Sequence, residues 1–227
     1  MKAVFVTGTD TDIGKTYVSA LICKSLVKQN LNVGYYKAAI SGADNIKNSD
    51  AGYVKDVAGL KQSYESLLSY LYQDPLSPHL AARIEQRFVD LKKVSEGFHQ
   101  VAALHDYVLM EGSGGIVCPI VYEKDKKILL EDIVKLLCLP VVIVADAGLG
   151  TINQTTLCCH YLKSKSIAIN GIILNNFDKN KTMHQDNLAM IEDINKVKVI
   201  ATVASQAAEL SMRVGSLSDA FSLITKF

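Results

Sequence analysis

The sequence predicts an α/β protein: a doubly wound, mainly parallel sheet with helices on both faces. Three observations carry that prediction. Short apolar runs rich in β-branched residues recur from end to end, near-continuous rather than alternating, as in strands buried on both faces. Helical patterns separate them, as crossovers between parallel strands require. Gly, Asp or Asn bounds most of the runs, placing turns at the strand ends.

In order, "AVFVT" (3–7) is a strand, Lys15 to Gln29 an amphipathic helix and "NVGYYK" (32–37) the next strand. Asp50, in "KNSDAGY", precedes a helical run. The segment 62–105 is less regular: "LLSYLYQDPLSPHLAARIEQ" reads as a strand, a Pro-broken loop and a helix starting near Ser77. "DYVLMEG" (106–112), "PVVIVAD" (140–146), "NGIILNN" (170–176) and "VKVIATV" (197–203) are further strands, with helices at 152–164 and 182–195. There is no internal repeat, low-complexity tract or linker-like run, so residues 1–227 are expected to form a single domain.

Composition excludes several classes of function. Apolar residues make up 49% of the chain, enough for a sizeable core. A formal net charge of +1 offers no general attraction to nucleic acid or anionic membrane. No apolar run is long enough to span a bilayer and no signal-peptide layout opens the chain, so a cytoplasmic protein is expected. The five cysteines lack C-x-x-C spacing and are read as reduced thiols, mostly core filler, not metal ligands.

In a parallel α/β sheet, ligands bind at the carboxyl ends of the strands. The first strand runs into "GTDTDIGKT" (8–16). Gly8 and Gly14 permit tight turns, and the helix that follows points its first N–H groups at an anion. Lys15 would pair with β- and γ-phosphates and the Thr16 hydroxyl would ligate Mg²⁺, as in a phosphate-loop NTPase-like fold. Thr9 stands where the usual pattern has its first Gly, and Asp10 adds an acid beside a polyanion. A second metal anchor is needed at another strand end. Glu111, closing "YVLM", is best placed, and Asp146, closing "VVIVA", competes with it unless it caps a helix or positions a loop. Position alone makes Asp50 a helix cap more readily than a metal contact. Lys37 reads either as a surface lysine with a snorkelling side chain or as the partner of an anion, with Ser41 and Gly42 on the same rim. His79 reads as structural.

The blocks "GTDTDIGKT", "GYYKAAISG", "NSDA", "PLSPHLAA", "EGSGG", "LGTINQTTL" and "GIILNN" together resemble dethiobiotin synthetase, in that family's order from residue 3 to about 176. The loop, with K-x-x-x-S-G about twenty residues later, is the most specific part. The resemblance implies an ATP- and Mg²⁺-dependent ligase of biotin biosynthesis that joins CO₂ to 7,8-diaminononanoate and closes a cyclic urea, releasing ADP and phosphate. Acid and hydroxyl in the loop then suit an amine-derived substrate as well as ATP.

The resemblance also implies residue roles. Asp12, Ile13, Gly14, Lys15, Thr16 and Tyr17 hold the phosphates, and Asp50, Glu111, Gly112, Ser113, Gly114, Asn175 and Asn176 complete the ATP site, with Asn175 reading the adenine. Thr16, Asp50 and Glu111 hold Mg²⁺. Lys37, Lys15 and Thr11 are catalytic, with Lys37 stabilising the substrate carbamate as it attacks the γ-phosphate. Ser41 and Thr11 contact the diamine or its carbamate, and Gly150, Thr151 and Asn153 serve its carboxylate from a neighbouring subunit, making a homodimer with shared sites. Where the family often carries a Pro after the last strand, this chain has Ala204, so no adenine contact is assigned from Ala204 to Gln206, and Asp146 receives no role. The competing readings are a partition-type ATPase, whose signature lysine is replaced here by Asp10, a small-metabolite kinase, and a nucleotide-binding regulatory module without turnover.

Overall fold

The structure is a computed structural model and describes residues 1–224. β1 (Lys2–Gly8) leads into α1 (Lys15–Lys28), then β2 (Val33–Ser41), α2 (Asp50–Ala58), β3 (Leu68–Tyr72), α3 (Pro78–Ile84) and α4 (Leu91–Leu104). β4 (Tyr107–Gly115) follows, then a two-stranded ribbon of β5 (Pro119–Tyr122) and β6 (Lys127–Leu129), and α5 (Leu130–Leu136). β7 (Val141–Asp146), α6 (Thr151–Ser164), β8 (Ile169–Asn175), α7 (Thr182–Asn195) and β9 (Val199–Thr202) complete the alternation, and β10 (Ser211–Met212) and β11 (Ser222–Leu223) close it.

The main sheet runs β10-β9-β8-β7-β1-β4-β2-β3. Every pairing from β9 across to β3 is parallel. Antiparallel β10 lies beside β9, and β11 returns the chain to the start of β1. The alternation of side chains along a strand sends successive residues into two cores. Ala3 and Phe5 of β1 pack with Val94 and Phe98 of α4, Ile133 of α5 and Cys159 of α6. Val4 and Val6 face the other way, toward Val18 and Leu21 of α1 and Val54 of α2. Burial on both faces is why these strands read as continuous apolar runs.

The structure extends some of the expected elements and adds others. β2 and β4 continue past the predicted ends at 37 and 112 to Ser41 and Gly115, because polar Ser41 and Ser113 still pair within the sheet or its edge. α4, absent from the sequence reading, buries Val94, Phe98, Val101 and Ala102 along one face. The β5–β6 ribbon and α5 were also not anticipated. Ser77 precedes α3, with Pro78 at its first turn, as expected for a helix starting there. All five cysteines are free thiols. Among the described residues no helix is long and apolar enough to cross a membrane.

Candidate active site

The loop between β1 and α1 owes its shape to two backbone positions in the left-handed region, Asp12 (φ 57°) and Gly14 (φ 87°). Gly8 explains why no glycine is needed at Thr9: the loop folds back over residue 8, where a Cβ would come within 2.9 Å of the Asp10 carbonyl and the Lys15 side chain. Gly14 immediately precedes α1, so the first N–H groups of the helix open toward the loop. Asn175, at the end of β8, buttresses it by donating to the Ile13 carbonyl at 2.9 Å. A Cβ on Gly14 would sit 2.2 Å from that amide nitrogen. Gly14→Ala therefore meets both a clash and a left-handed φ. We expect it to cost roughly 1–3 kcal/mol of stability and to weaken nucleotide binding, read from thermal melts and calorimetric titration.

Behind the loop, chain register assembles a charged cluster. Lys37 on β2 lies opposite Glu111 on the parallel neighbour β4. Asp50 is the first residue of α2, whose N-cap is Ser49, so it is no cap; the position gives a carboxylate a favourable place in the helix dipole. The Lys37 ammonium donates to Asp50 Oδ2 at 2.7 Å and to Glu111 Oε1 at 2.9 Å. The Thr16 hydroxyl donates to the same Glu111 Oε1 at 2.8 Å, and the Tyr35 hydroxyl donates to Oε2 at 3.0 Å.

Lys37 is only 4% exposed, which removes the reading as a snorkelling surface lysine. Burial opposes its charge, yet Glu111 and Asp50 outweigh it and hold the ammonium above its ordinary range. Burial likewise works against the Asp50 carboxylate, but Lys37 and Thr16 hold it below the usual range. Lys15 donates to the Asp10 carbonyl at 2.8 Å, and burial, the largest influence, lowers its affinity for a proton. A buried cation so placed gains most from an anion brought to it.

These groups line a cleft of about 1420 Å³. It receives Thr11, Asp12, Gly14, Lys15, Thr16, Tyr17, Lys37, Ser41, Asp50, Glu111, Ser113 and Gly114. Its far wall adds residues that the sequence did not suggest: Tyr53, the segment 75–78, the segment 115–119, and Gln154, Leu157 and Tyr161 of α6. The hydroxyls of Thr9 and Ser41, both in the cleft lining, have no hydrogen-bond partner among the described residues. Helix spacing from Gln154 to Tyr161 was the available signal for α6, but nothing local tells which face of it meets the cleft.

Other expected site residues lie outside this lining. Ile13 offers its carbonyl to Asn175, and Gly112 is buried. Asn176 donates to Asp146 Oδ2 at 2.6 Å, while Asp146 Oδ1 accepts from the Gly148 N–H at 2.7 Å. Asp146 is thus the loop-positioning acid, holding the turn before α6. Gly150 precedes α6, Thr151 is buried in its first turn and Asn153 is exposed beside it. Ala204, Ser205 and Gln206 are exposed, and the Tyr17 hydroxyl donates to the neighbouring Ala207 carbonyl.

The donor set fits Mg²⁺. Thr16, Asp50 and Glu111 supply hard oxygen atoms, and Lys37 already draws both carboxylates to one point. No group of three or more His, Cys, Asp or Glu able to hold a metal occurs among the described residues, but Mg²⁺ takes one or two carboxylates together with phosphate oxygens.

A family model described as "AAA domain" matches residues 2–209. The ATP-dependent dethiobiotin synthetase BioD of Brachyspira hyodysenteriae is 52% identical over 202 residues, covering 89% of this chain and 91% of that protein. Those of Clostridium botulinum and Clostridium perfringens are 47% and 44% identical, covering 87% and 89% of this chain and 88% and 90% of theirs. Among solved structures, the MinD cell division protein of Aquifex aeolicus has a TM-score of 0.54 at 16% identity, covering 91% of this chain and 83% of that one. A ParA family ATPase from Chlorobium tepidum has a TM-score of 0.55 at 15% identity, covering 89% and 83%. At such identities these two show a shared phosphate-loop fold and nothing of function, whereas the sequence relatives match nearly end to end. The chain belongs to the dethiobiotin synthetase family of ATP-dependent ligases.

Proposed function

We propose that this chain forms the ureido ring of dethiobiotin from 7,8-diaminononanoate, CO₂ and ATP, working as one phosphate-loop domain over residues 1–227. The observation that carries the proposal is the convergence of Lys15, Thr16, Lys37, Asp50 and Glu111 on one cleft with room for a nucleotide and a second substrate side by side. One amine of the diamine adds to CO₂ and gives up a proton to form a carbamate. A carbamate oxygen attacks the γ-phosphorus of ATP and ADP leaves. The second amine then attacks the activated carbonyl carbon, phosphate departs, the amine loses its proton and the ring closes.

In the phosphoryl transfer an oxygen nucleophile meets phosphorus, so the work falls on positioning and charge neutralisation. Lys15 and the N–H groups from Asp12 to Tyr17 hold the phosphates. Lys37 swings part of its charge from Glu111 and Asp50 to the carbamate and the transferring group. Thr11 and the unpaired Ser41 hydroxyl orient the diamine. Ser113 and Gly114 border the same cleft. Asn175 lies outside the cleft lining and braces the phosphate loop through the Ile13 carbonyl, so its reading of the adenine rests on the family resemblance. Thr16, Asp50 and Glu111 would hold Mg²⁺, which when bound neutralises phosphate charge.

The free thiols support a reducing, cytoplasmic setting. A homodimer is supported by exposed apolar side chains on α6 and just before it: Leu149 is 94% exposed and Leu157 62%. The start of α6, with Gly150, Thr151 and Asn153, then serves the partner's substrate carboxylate. Light scattering at assay concentration should find a dimer, and an active monomer would refute this arrangement. The deciding assay is ATP hydrolysis that requires both diamine and bicarbonate, with the cyclic urea detected by mass. ATP consumption indifferent to the diamine would overturn the synthetase, and a stable phosphorylated product would indicate a kinase.

A further inference from the structure

Tyr35 is a fully buried titratable side chain that the proposed reaction leaves unused, 0% exposed. It precedes Lys37 by two on β2 and so shares its face of the sheet. Across the sheet it pairs with Leu109, two residues before Glu111, which sets its hydroxyl on the diagonal to the Glu111 carboxylate. The hydroxyl donates to Glu111 Oε2 at 3.0 Å, the oxygen turned away from Lys37 and Thr16, which both donate to Oε1. The backbone of Tyr35 is itself clamped. β3 pairs with β2 only from Lys37 onward, and before it begins Gln62 takes its place: Oε1 accepts the Tyr35 N–H at 2.8 Å and Nε2 donates to the Tyr35 carbonyl at 2.9 Å.

A glutamate carboxylate turns easily about its last torsion, whereas a ring packed in the core does not. We propose that Tyr35 is a positioning residue that fixes the Glu111 carboxylate so that Oε1 faces Thr16 and Lys37, and thereby sets the affinity of the site for a divalent cation. The proposal rests on Glu111 being a metal ligand, as read above. Partners that orient a ligating carboxylate typically change metal affinity by 10–100-fold when removed.

The test is Tyr35→Phe, which keeps the ring and removes the hydroxyl. Mg²⁺ is titrated calorimetrically onto the protein saturated with a non-hydrolysable ATP analogue, and analogue binding without Mg²⁺ is measured separately. Tyr35→Phe should bind Mg²⁺ about tenfold more weakly, with metal-free analogue binding unchanged. In a Glu111→Gln background the same substitution should have no further effect on Mg²⁺ affinity, because the oriented group is gone. Tyr35→Phe keeps the ring and leaves no cavity, so it should fold as wild type, as read by circular dichroism. Unchanged Mg²⁺ affinity in Tyr35→Phe, alongside weakened binding in Glu111→Gln, would overturn the role of Tyr35 alone. Losses that add in the double variant would overturn it too, since they would not run through Glu111. Unchanged Mg²⁺ affinity in Glu111→Gln would overturn the metal reading and this proposal with it.

Discussion

Lys37→Gln is expected to lower turnover of diamine, CO₂ and ATP by ~100-fold or more, about 3 kcal/mol of barrier. Nucleotide binding should persist, because Lys15 and the loop backbone are untouched. The structure adds a stability effect that the sequence did not suggest. Lys37 is paired with the wholly buried Glu111 carboxylate, so its loss strands that charge. Two other donors remain on Glu111, Thr16 and Tyr35, which limits the cost to about 1–3 kcal/mol. The double variant Lys37→Gln, Glu111→Gln should recover stability but not turnover, which separates the two effects. The pH dependence follows from the raised pKa of Lys37. Its stabilising contribution is complete below the ordinary 10.5 and is lost as pH rises through the higher folded value. On the acid side, the lowered pKa of Asp50 keeps its contribution above the ordinary 3.8 and loses it as pH falls through the folded value. Thermal melts of wild type and Lys37→Gln should therefore differ steadily through neutral pH and converge at strongly alkaline pH. Near-normal turnover in Lys37→Gln would remove Lys37 from the chemistry.

The second large effect is expected at Glu111. Glu111→Gln keeps shape and removes the charge to which Thr16 and Lys37 both donate, so it should raise the Mg²⁺ requirement and depress turnover by ~100-fold. Asp146→Asn should do far less. Its carboxylate is taken up by the Gly148 N–H and the Asn176 amide, and it does not line the cleft. The measurement is turnover as a function of Mg²⁺ concentration for both variants. If Asp146→Asn were the more severe, the metal site would belong at Asp146.

Much of this protein was legible one segment at a time. The strands announced themselves because both faces are buried, and the loop from Gly8 to Thr16 because its function lies in contiguous backbone. α4 escaped notice although Val94, Phe98, Val101 and Ala102 carry a helical spacing, since polar residues and Gly97 interrupt it and its neighbours form an irregular stretch. The roles of Lys37 and Asp50 were ambiguous for a different reason. A lysine at a strand end and an acid before a helix have common structural explanations, and only the resemblance to a family favoured the site.

By itself the sequence determined the alternation of the main strands and helices, the parallel class of the sheet and the phosphate loop, because each depends on local periodicity and on residues adjacent in the chain. The tertiary structure alone decided that Lys37 is buried against Glu111, that Asp50 closes the same cluster, that Asp146 turns away to hold a loop, and that Tyr35 reaches Glu111 from beneath. Those facts depend on which strands are neighbours and in what register: β2 beside β4 with residue 37 level with residue 111, and β7 two strands away beyond β1. Register between strands 74 residues apart in the chain is set by the packing of two cores at once, which no local pattern encodes.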